Sequence, residues 1–304
     1  MTLNQDLELH KQSIQKGSKS FALASLFFSK QQKLAAWKLY SWCRYCDDQI
    51  DGAAVSTAPR RLQELIQLTR SLPQDPAAMP FQFRGLRDVL SAHHIPAQYP
   101  LDLLRGMEMD VQNRRYQTLQ DLEEYCYCVA GVVGLMMCHI MGVRSDQALR
   151  HAIAMGNAMQ LTNICRDIRE DANLGRCYLP QEWLKQAGMT ETTLFLPEHR
   201  GSLVTIQERL LQRADELYAE GFAGLRFLSL RSCWAVLIAA KVYSYIGELI
   251  RRDSDRGLTR RIHVSFWKKI VLIGSTAKYF VPQVWWSLKS TEAVRPPARI
   301  WSLK

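Results

Sequence analysis

Apolar residues recur along this chain at the three- and four-residue spacing of helix faces, and no run alternates with the two-residue period of a half-buried strand. The punctuation between runs is helical too. Ser29 precedes a stripe that passes Trp37, Tyr40 and Arg44 and stops at Asp51 before Gly52, which predicts a capped helix. Pro59 suits a first helical position, and Pro80 and Pro96 open further segments. Thr118-Leu-Gln-Asp121 reads as a capping box for a helix ending near Gly142, and Ser145 caps another that ends at Gly175. A short helix is expected over Pro180–Gly188, and two long ones over Gly201–Arg226 and Ser229–Arg252. Leu72–Pro80, with three prolines, reads as a loop and not as a domain boundary. With no internal repeat and no low-complexity linker, the pattern predicts one all-α domain over 1–304.

Composition alters that picture little. At 304 residues, 47% apolar and 22% charged, the chain is neither disordered, nor collagen-like, nor a small disulfide scaffold. Charge is more telling. The net charge is +10, and Arg251–Lys304 holds twelve basic and three acidic residues together with Trp267, Trp285, Trp286 and Trp301. A basic, Trp-rich tail over 265–304 suits an anionic membrane surface, and it carries no helix-turn-helix or aromatic RNA-binding motif. The two most apolar stretches, Trp234–Ile250 and Ile270–Leu288, are interrupted by Lys241 and Lys278, short of the roughly 18–20 apolar residues a bilayer span needs. Met1–Lys19 is charged throughout and lacks the apolar centre of a signal peptide. The expectation is a cytoplasmic protein, peripheral on the cytoplasmic membrane face, with eight reduced cysteines. Cys43 and Cys46 form a lone C-x-x-C, read as buried small residues.

Two helix faces stand apart. Asp47 and Asp51 lie one turn apart, with Arg44 and Tyr40 continuing their stripe and Asp48 beside it. Gln160, Asn163, Asp167 and Asp171 make a second stripe, again with two carboxylates four residues apart and Arg166 adjacent. Like charges at that spacing cost a helix a few tenths of a kcal/mol, so roughly that much is lost at each pair unless something positive faces it. Mg²⁺, which takes carboxylate oxygens and shares its remaining positions with substrate phosphates, meets that need. Solvated polar faces with local Arg–Asp pairs are the plainer alternative. A di-iron bundle would need a Glu-x-x-His pair, and His139 and His151 lack that spacing.

With these motifs the chain resembles the squalene/phytoene synthase family. The likeness rests on Arg44-x-x-Asp47-Asp48-x-x-Asp51 preceded by Ser18-Lys19-Ser20-Phe21, and on Gln160-x-x-Asn163-x-x-Arg166-Asp167-x-x-x-Asp171 followed by Gly175-Arg176-Cys177-Tyr178-Leu179-Pro180. Tyr125 to Gly134, Tyr243 and a late basic position at Arg260 extend it, so that it covers about 18–264. Within the family the motif stretches look most like the bacterial phytoene branch.

The resemblance implies a single-domain helical bundle of the isoprenoid synthase type with a central cavity. It also implies Mg²⁺-dependent head-to-head condensation of two prenyl diphosphates, with Mn²⁺ able to substitute. In the phytoene branch these are two geranylgeranyl diphosphates, joined through prephytoene diphosphate without NADPH. On that likeness Asp47, Asp51, Asn163, Asp167 and Asp171 are the expected metal ligands, with Asp48 close behind. Arg44, Arg166, Arg176 and Arg260 are expected to clamp diphosphate, and Ser18, Ser20, Phe21 and Gln160 to bind substrate. Tyr40, Tyr125, Tyr178 and Tyr243 would face a passing cation or position the diphosphate. Gly131 and Gly134 admit two readings, room for a prenyl chain or tight helix packing. A squalene or dehydrosqualene synthase using two farnesyl diphosphates is the alternative within the family, and a non-catalytic membrane-associated assembly factor the alternative outside enzymes.

Overall fold

The computed structural model of the chain describes residues 3–54, 56–72, 79–254, 258, 260–265 and 267–276. Most of the Leu72–Pro80 loop and three of the four tail tryptophans (Trp285, Trp286 and Trp301) lie outside them. The described elements are α1 (Leu3–Gly17), α2 (Lys19–Ser25), α3 (Lys30–Asp51), α4 (Ala58–Ser71), α5 (Phe81–His93), α6 (Gln98–Val111), α7 (Leu119–Cys126), α8 (Val132–Ile140), α9 (Asp146–Asn173), α10 (Gln181–Gln186), α11 (Arg200–Ala223) and α12 (Leu230–Arg252). A further helical segment runs over 267–276, and no strand occurs among the described residues.

The helix ends fall where local chemistry puts them. Ser29 accepts from the Gln32 N–H at 3.2 Å while its own N–H donates to Gln32 Oε1 at 3.3 Å, a complete capping box at the start of α3. Thr118 and Asp121 do the same for α7, and Ser145 caps α9. Gly175 takes a φ of +73° just beyond α9, which a residue with a Cβ adopts poorly. Helix capping, the plainer reading of Ser18, holds as well. α1 and α2 form a helical pair ahead of Ser29, with Ser18 capping α2. The helix expected from Thr118 to Gly142 is divided by a π turn over Tyr127–Gly131.

That π turn is a packing solution. α9 is the hub against which α7, the π turn, α8, α11 and α12 all pack. At Gly156 a Cβ would lie 2.6 Å from the Ala130 carbonyl oxygen and 2.8 Å from the Gly131 Cα, so two backbones meet there with nothing between them. Widening the helix by one residue at Tyr127–Gly131 lets its backbone settle on α9 at that point. Gly134 works in the same way, since a Cβ there would lie 2.6 Å from the Ala152 carbonyl. Helix packing is therefore the reading of the two glycines that the geometry favours, although Gly134 also reaches the cavity wall.

The core divides into a large cluster around α9, α11 and α12, a second around α3, α5, α6 and α8, and a small one where α2 meets α12. α12 is long and apolar enough to cross a membrane by composition, yet 56% of its most apolar window is buried inside the bundle, where it serves as a core helix. Cys43 and Cys46 are free thiols, and Cys46 is fully buried.

Gly156→Ala should destabilise the fold by about 1–3 kcal/mol, because the added methyl has only backbone to displace. Urea unfolding checks this; an unchanged midpoint would show that α9 and the π turn can separate freely.

Candidate active site

Between α2, α3, α8, α9 and α12 lies a cavity of about 350 Å³ with a mainly apolar wall. Polar groups gather toward one end, where α9 contributes Gln160 and Asn163, α3 contributes Tyr40 and α12 contributes Tyr243. Phe21 of α2 stacks on Tyr243 with ring centroids 5.5 Å apart and meets Tyr40 edge-on at 6.5 Å. Ser18 accepts from the Phe21 N–H at 3.3 Å and also hydrogen-bonds the Tyr243 side chain, which ties the start of α2 to α12. Ser20 sits partly buried in the first turn of α2. Burial pushes the Tyr40 hydroxyl up to about 12 and also raises that of Tyr243, so both stay protonated donors.

One turn beyond Asn163, α9 carries Asp167, and one turn further Asp171. Each motif carboxylate meets an arginine or another carboxylate. Arg44 holds Asp47 at 3.1 Å and also pairs with the exposed Asp48. Arg176 reaches Asp51 at 2.7 Å and thereby ties the end of α3 to the segment after α9. Asp167 accepts from Arg166 Nε at 2.8 Å and from Arg261 Nε at 2.9 Å. Partial burial, then the neighbouring Asp51, push the Asp47 carboxyl up to about 6 against the pull of Arg44. Burial and Asp167 push Asp171 up to about 7. These are carboxylates short of positive charge.

Asn163 makes the same point with a neutral group. Its amide donates to Gln160 Oε1 at 3.3 Å, while its own Oδ1 is buried without a partner. An orphaned buried acceptor costs about 1–3 kcal/mol. The donor set fits hard divalent cations: carboxylate and amide oxygens only, two carboxyls raised by unmet charge, and one free oxygen. Among the described residues no three such side chains already converge on one point. Of the expected ligands, Asp47, Asp51 and Asp167 are held by arginines, Arg176 tying Asp51 to the segment after α9, while Asn163 keeps a free oxygen.

Two sets of expected site residues sit apart from the cavity wall. Arg260 and Arg261 are both exposed, and Arg261 is the one that supplies a contact to Asp167. The stretch around them is irregular, so helical spacing gave no guide to which of the pair reaches Asp167. Tyr125 and Tyr178 are not on the cavity wall. They are buried against each other, rings 4.9 Å apart, with Tyr178 donating to Asp110 Oδ1 at 2.7 Å and Tyr125 to Asp110 Oδ2 at 3.0 Å. Tyr125 also lies within donor reach of the Tyr178 hydroxyl at 3.2 Å, so the two phenols and Asp110 form one hydrogen-bonded cluster. Asp110 is the residue sequence reasoning missed. The available signal was a carboxylate in the last turn of α6, where the helix dipole disfavours it, on the same face as the buried Leu103 and Met107.

A family model described as squalene/phytoene synthase matches residues 14–268. The 15-cis-phytoene synthase of Enterobacter agglomerans is 42% identical over 266 residues, which is 84% of this chain and 90% of that protein. The phytoene synthase of Pseudescherichia vulneris is 39% identical over 304 residues, 95% of each chain. Among solved structures, a dehydrosqualene synthase in complex with ligand is similar at a TM-score of 0.82 and 30% identity, covering 91% of this chain and 97% of the other. A squalene synthase from Alicyclobacillus acidocaldarius follows at 0.74 and 25%, covering 83% and 95%.

The raised carboxyls have a signed consequence. An unfolded aspartate titrates near 3.8, so between about pH 4 and 7 the fold holds protons at Asp47 and Asp171 that the unfolded chain has lost. These two groups therefore destabilise the metal-free fold as pH rises through that window. The advantage of Asp171→Asn over the wild type in thermal melts should be least near pH 4, grow up to about pH 7 and level off above it, the comparison cancelling other titrating groups such as His10. Equal pH slopes for the two proteins would remove the charge crowding inferred here.

Proposed function

Because the chain belongs to the squalene/phytoene synthase family, we infer that it is a prenyltransferase of the phytoene synthase type. It joins two geranylgeranyl diphosphates head to head, with release of diphosphate, in the first committed step of carotenoid biosynthesis. The observation that carries this reading is the roughly 40% identity to bacterial phytoene synthases over most of the chain, with both aspartate motifs intact. The architecture supports it: a mainly apolar cavity of about 350 Å³ carries Gln160 and Asn163 on its wall, one turn of α9 from Asp167.

Asp47, Asp51, Asn163, Asp167 and Asp171 are the residues that would hold Mg²⁺. Bound there, the cations would neutralise the departing diphosphate, which is what ionisation of an allylic C–O bond requires. The arginines that now pair with these carboxylates are set to exchange partners. Arg44, Arg166, Arg176 and Arg261 each carry a planar fork suited to phosphate oxygens and lie within one residue contact of a ligand carboxylate.

The apolar wall keeps water from a carbocation, and the faces of Phe21, Tyr40 and Tyr243 at its polar end can stabilise one. Tyr125 and Tyr178, hydrogen-bonded to Asp110 and to each other, support the acidic end from below. No reductant enters this scheme, since loss of a proton ends the reaction.

A C40 hydrocarbon product has to leave for a lipid phase, and the surface provides for that. Trp267 and Val271 are 76% and 60% exposed on the 267–276 helix, beside Lys268 and Lys269, and Leu26 at the end of α2 is 61% exposed. This mixture suits peripheral docking on an anionic membrane.

The purified protein with Mg²⁺ and geranylgeranyl diphosphate should give a C40 hydrocarbon without NADPH, and excess EDTA should abolish turnover. A C30 product from farnesyl diphosphate alone would place it in the squalene or dehydrosqualene branch. Arg261→Ala should lower kcat/KM about tenfold or more while Arg260→Ala leaves it nearly unchanged; the reverse pattern would overturn the placement of Arg261. Trp267→Ala combined with Val271→Ala should weaken binding to anionic liposomes in low salt, and undiminished binding would move the docking surface elsewhere.

A further inference from the structure

Arg176 answers to two carboxylates of different kinds. Its Nη2 donates to Asp51 at 2.7 Å, and Asp51 is an exposed residue expected to hold a cation. Its guanidinium also feels Asp110, in the last turn of α6. Asp110 is partly buried, and its two oxygens already accept from Tyr178 at 2.7 Å and Tyr125 at 3.0 Å. Burial raises its carboxyl, and the Tyr178 hydroxyl, Arg176 and the Tyr125 hydroxyl pull it back. A carboxylate accepts about four hydrogen bonds in all, so room for a guanidinium remains.

The backbone on both sides of Arg176 is fixed. Its N–H donates to the Asp171 carbonyl at 2.9 Å, and the carbonyl of Gly175 before it accepts from Arg115 at 3.2 Å. Beyond it, Tyr178 is held on Asp110, and the Gln181 and Glu182 N–H groups donate to the Tyr116 and Gln117 carbonyls at 2.8 and 3.1 Å. Tyr116 is itself fully buried against the other two phenols, its ring 5.4 Å from Tyr125 and 6.1 Å from Tyr178. On so braced a chain, the side-chain torsions of Arg176 are what remains free to turn it from one carboxylate to the other.

That freedom matters when Asp51 is needed elsewhere. A cation that takes Asp51 displaces Arg176, whose side chain is only 24% exposed. A partly buried guanidinium left without a counter-charge is costly, and that cost would oppose cation binding. We propose that Asp110 is a positioning residue that takes over the Arg176 guanidinium when a divalent cation takes Asp51, keeping the arginine beside the acidic end as a grip for diphosphate. The proposal rests on the prenyl diphosphate reading above and concerns how that same site is loaded.

Asp110→Asn isolates the charge. The amide oxygen still accepts from Tyr178, the amide nitrogen donates to the Tyr125 oxygen, and Tyr125 turns its own proton to the Tyr178 oxygen 3.2 Å away. The hydrogen bonds of the cluster are kept, so the variant should retain the wild-type fold while losing the carboxylate.

The test follows Mn²⁺ binding to the full-length protein by EPR, alone and with inorganic pyrophosphate, for wild type, Asp110→Asn, Arg176→Ala and the double variant. Asp110→Asn should weaken Mn²⁺ binding by about tenfold or more, the scale on which loss of an outer partner weakens a metal site. Arg176→Ala should weaken pyrophosphate binding and leave Asp51 open to the cation. Adding Asp110→Asn to it should then change the Mn²⁺ Kd by less than about threefold, since no guanidinium is left to hand over. An equal loss in both backgrounds would show that Asp110 acts through its field alone, and would overturn the exchange. If Asp110→Asn does not fold, the wild type decides. Its Arg176 Nε–H NMR signal, assigned by its disappearance in Arg176→Lys, should stay protected from solvent exchange when Mg²⁺ alone is added. Exchange as fast as that of free arginine would overturn the proposal. A wild type that binds neither Mn²⁺ nor pyrophosphate would instead sink the prenyl diphosphate reading, and this proposal with it.

Discussion

Negative charge placed beside an oily cavity is the constraint on which this structure turns. Asp47, Asp51, Asp167 and Asp171 stand near the end of a space built to exclude water, where charge without a partner is costly. The protein meets that cost with four arginines from four different stretches of chain: Arg44 on α3, Arg166 on α9, Arg176 just after it and Arg261 beyond α12. The balance remains incomplete. Asp47 and Asp171 hold their protons well above the usual range, and Asn163 keeps an unused oxygen. A site left slightly short of positive charge binds cations without being locked by its own ion pairs.

The same need explains the scaffold. α9 must carry polar ligands and an apolar wall on one continuous helix, so it is packed on nearly every side. Glycines at its closest contacts let neighbouring backbones come near. The π turn over Tyr127–Gly131 exists because the Ala130 carbonyl sits almost against Gly156. Asp110 adds a second layer beneath the acidic end, fixing two tyrosines and, with Arg176 nearby, keeping the segment after α9 in register with α3.

Much of this was legible in the sequence, and the boundary is physical. The ends of α3, α7 and α9 follow from caps made within four residues, so Ser29, Thr118, Ser145 and Gly175 marked them correctly. The two aspartate stripes follow from helix periodicity alone. What spacing could not show were contacts made across the chain. Whether Arg260 or Arg261 reaches Asp167 is settled by an irregular stretch, and the hydrogen bonds of Tyr125 and Tyr178 are settled by a carboxylate on α6. The π turn is likewise imposed by a neighbour more than twenty residues away. Family likeness supplied the chemistry, while the donors and acceptors that carry it out had to be counted in three dimensions.

An unbroken helix of 28 residues also constrains how this protein can change over evolutionary time. Inserting or deleting one residue between His151 and Asn163 would turn everything beyond it by about 100° and carry Asp167 and Asp171 off the acidic end. Lineages descended from such a chain can therefore explore substrate size only by exchanging one side chain for another. Length variation is left to connections that do not carry Arg176 or Arg261 to the acidic end.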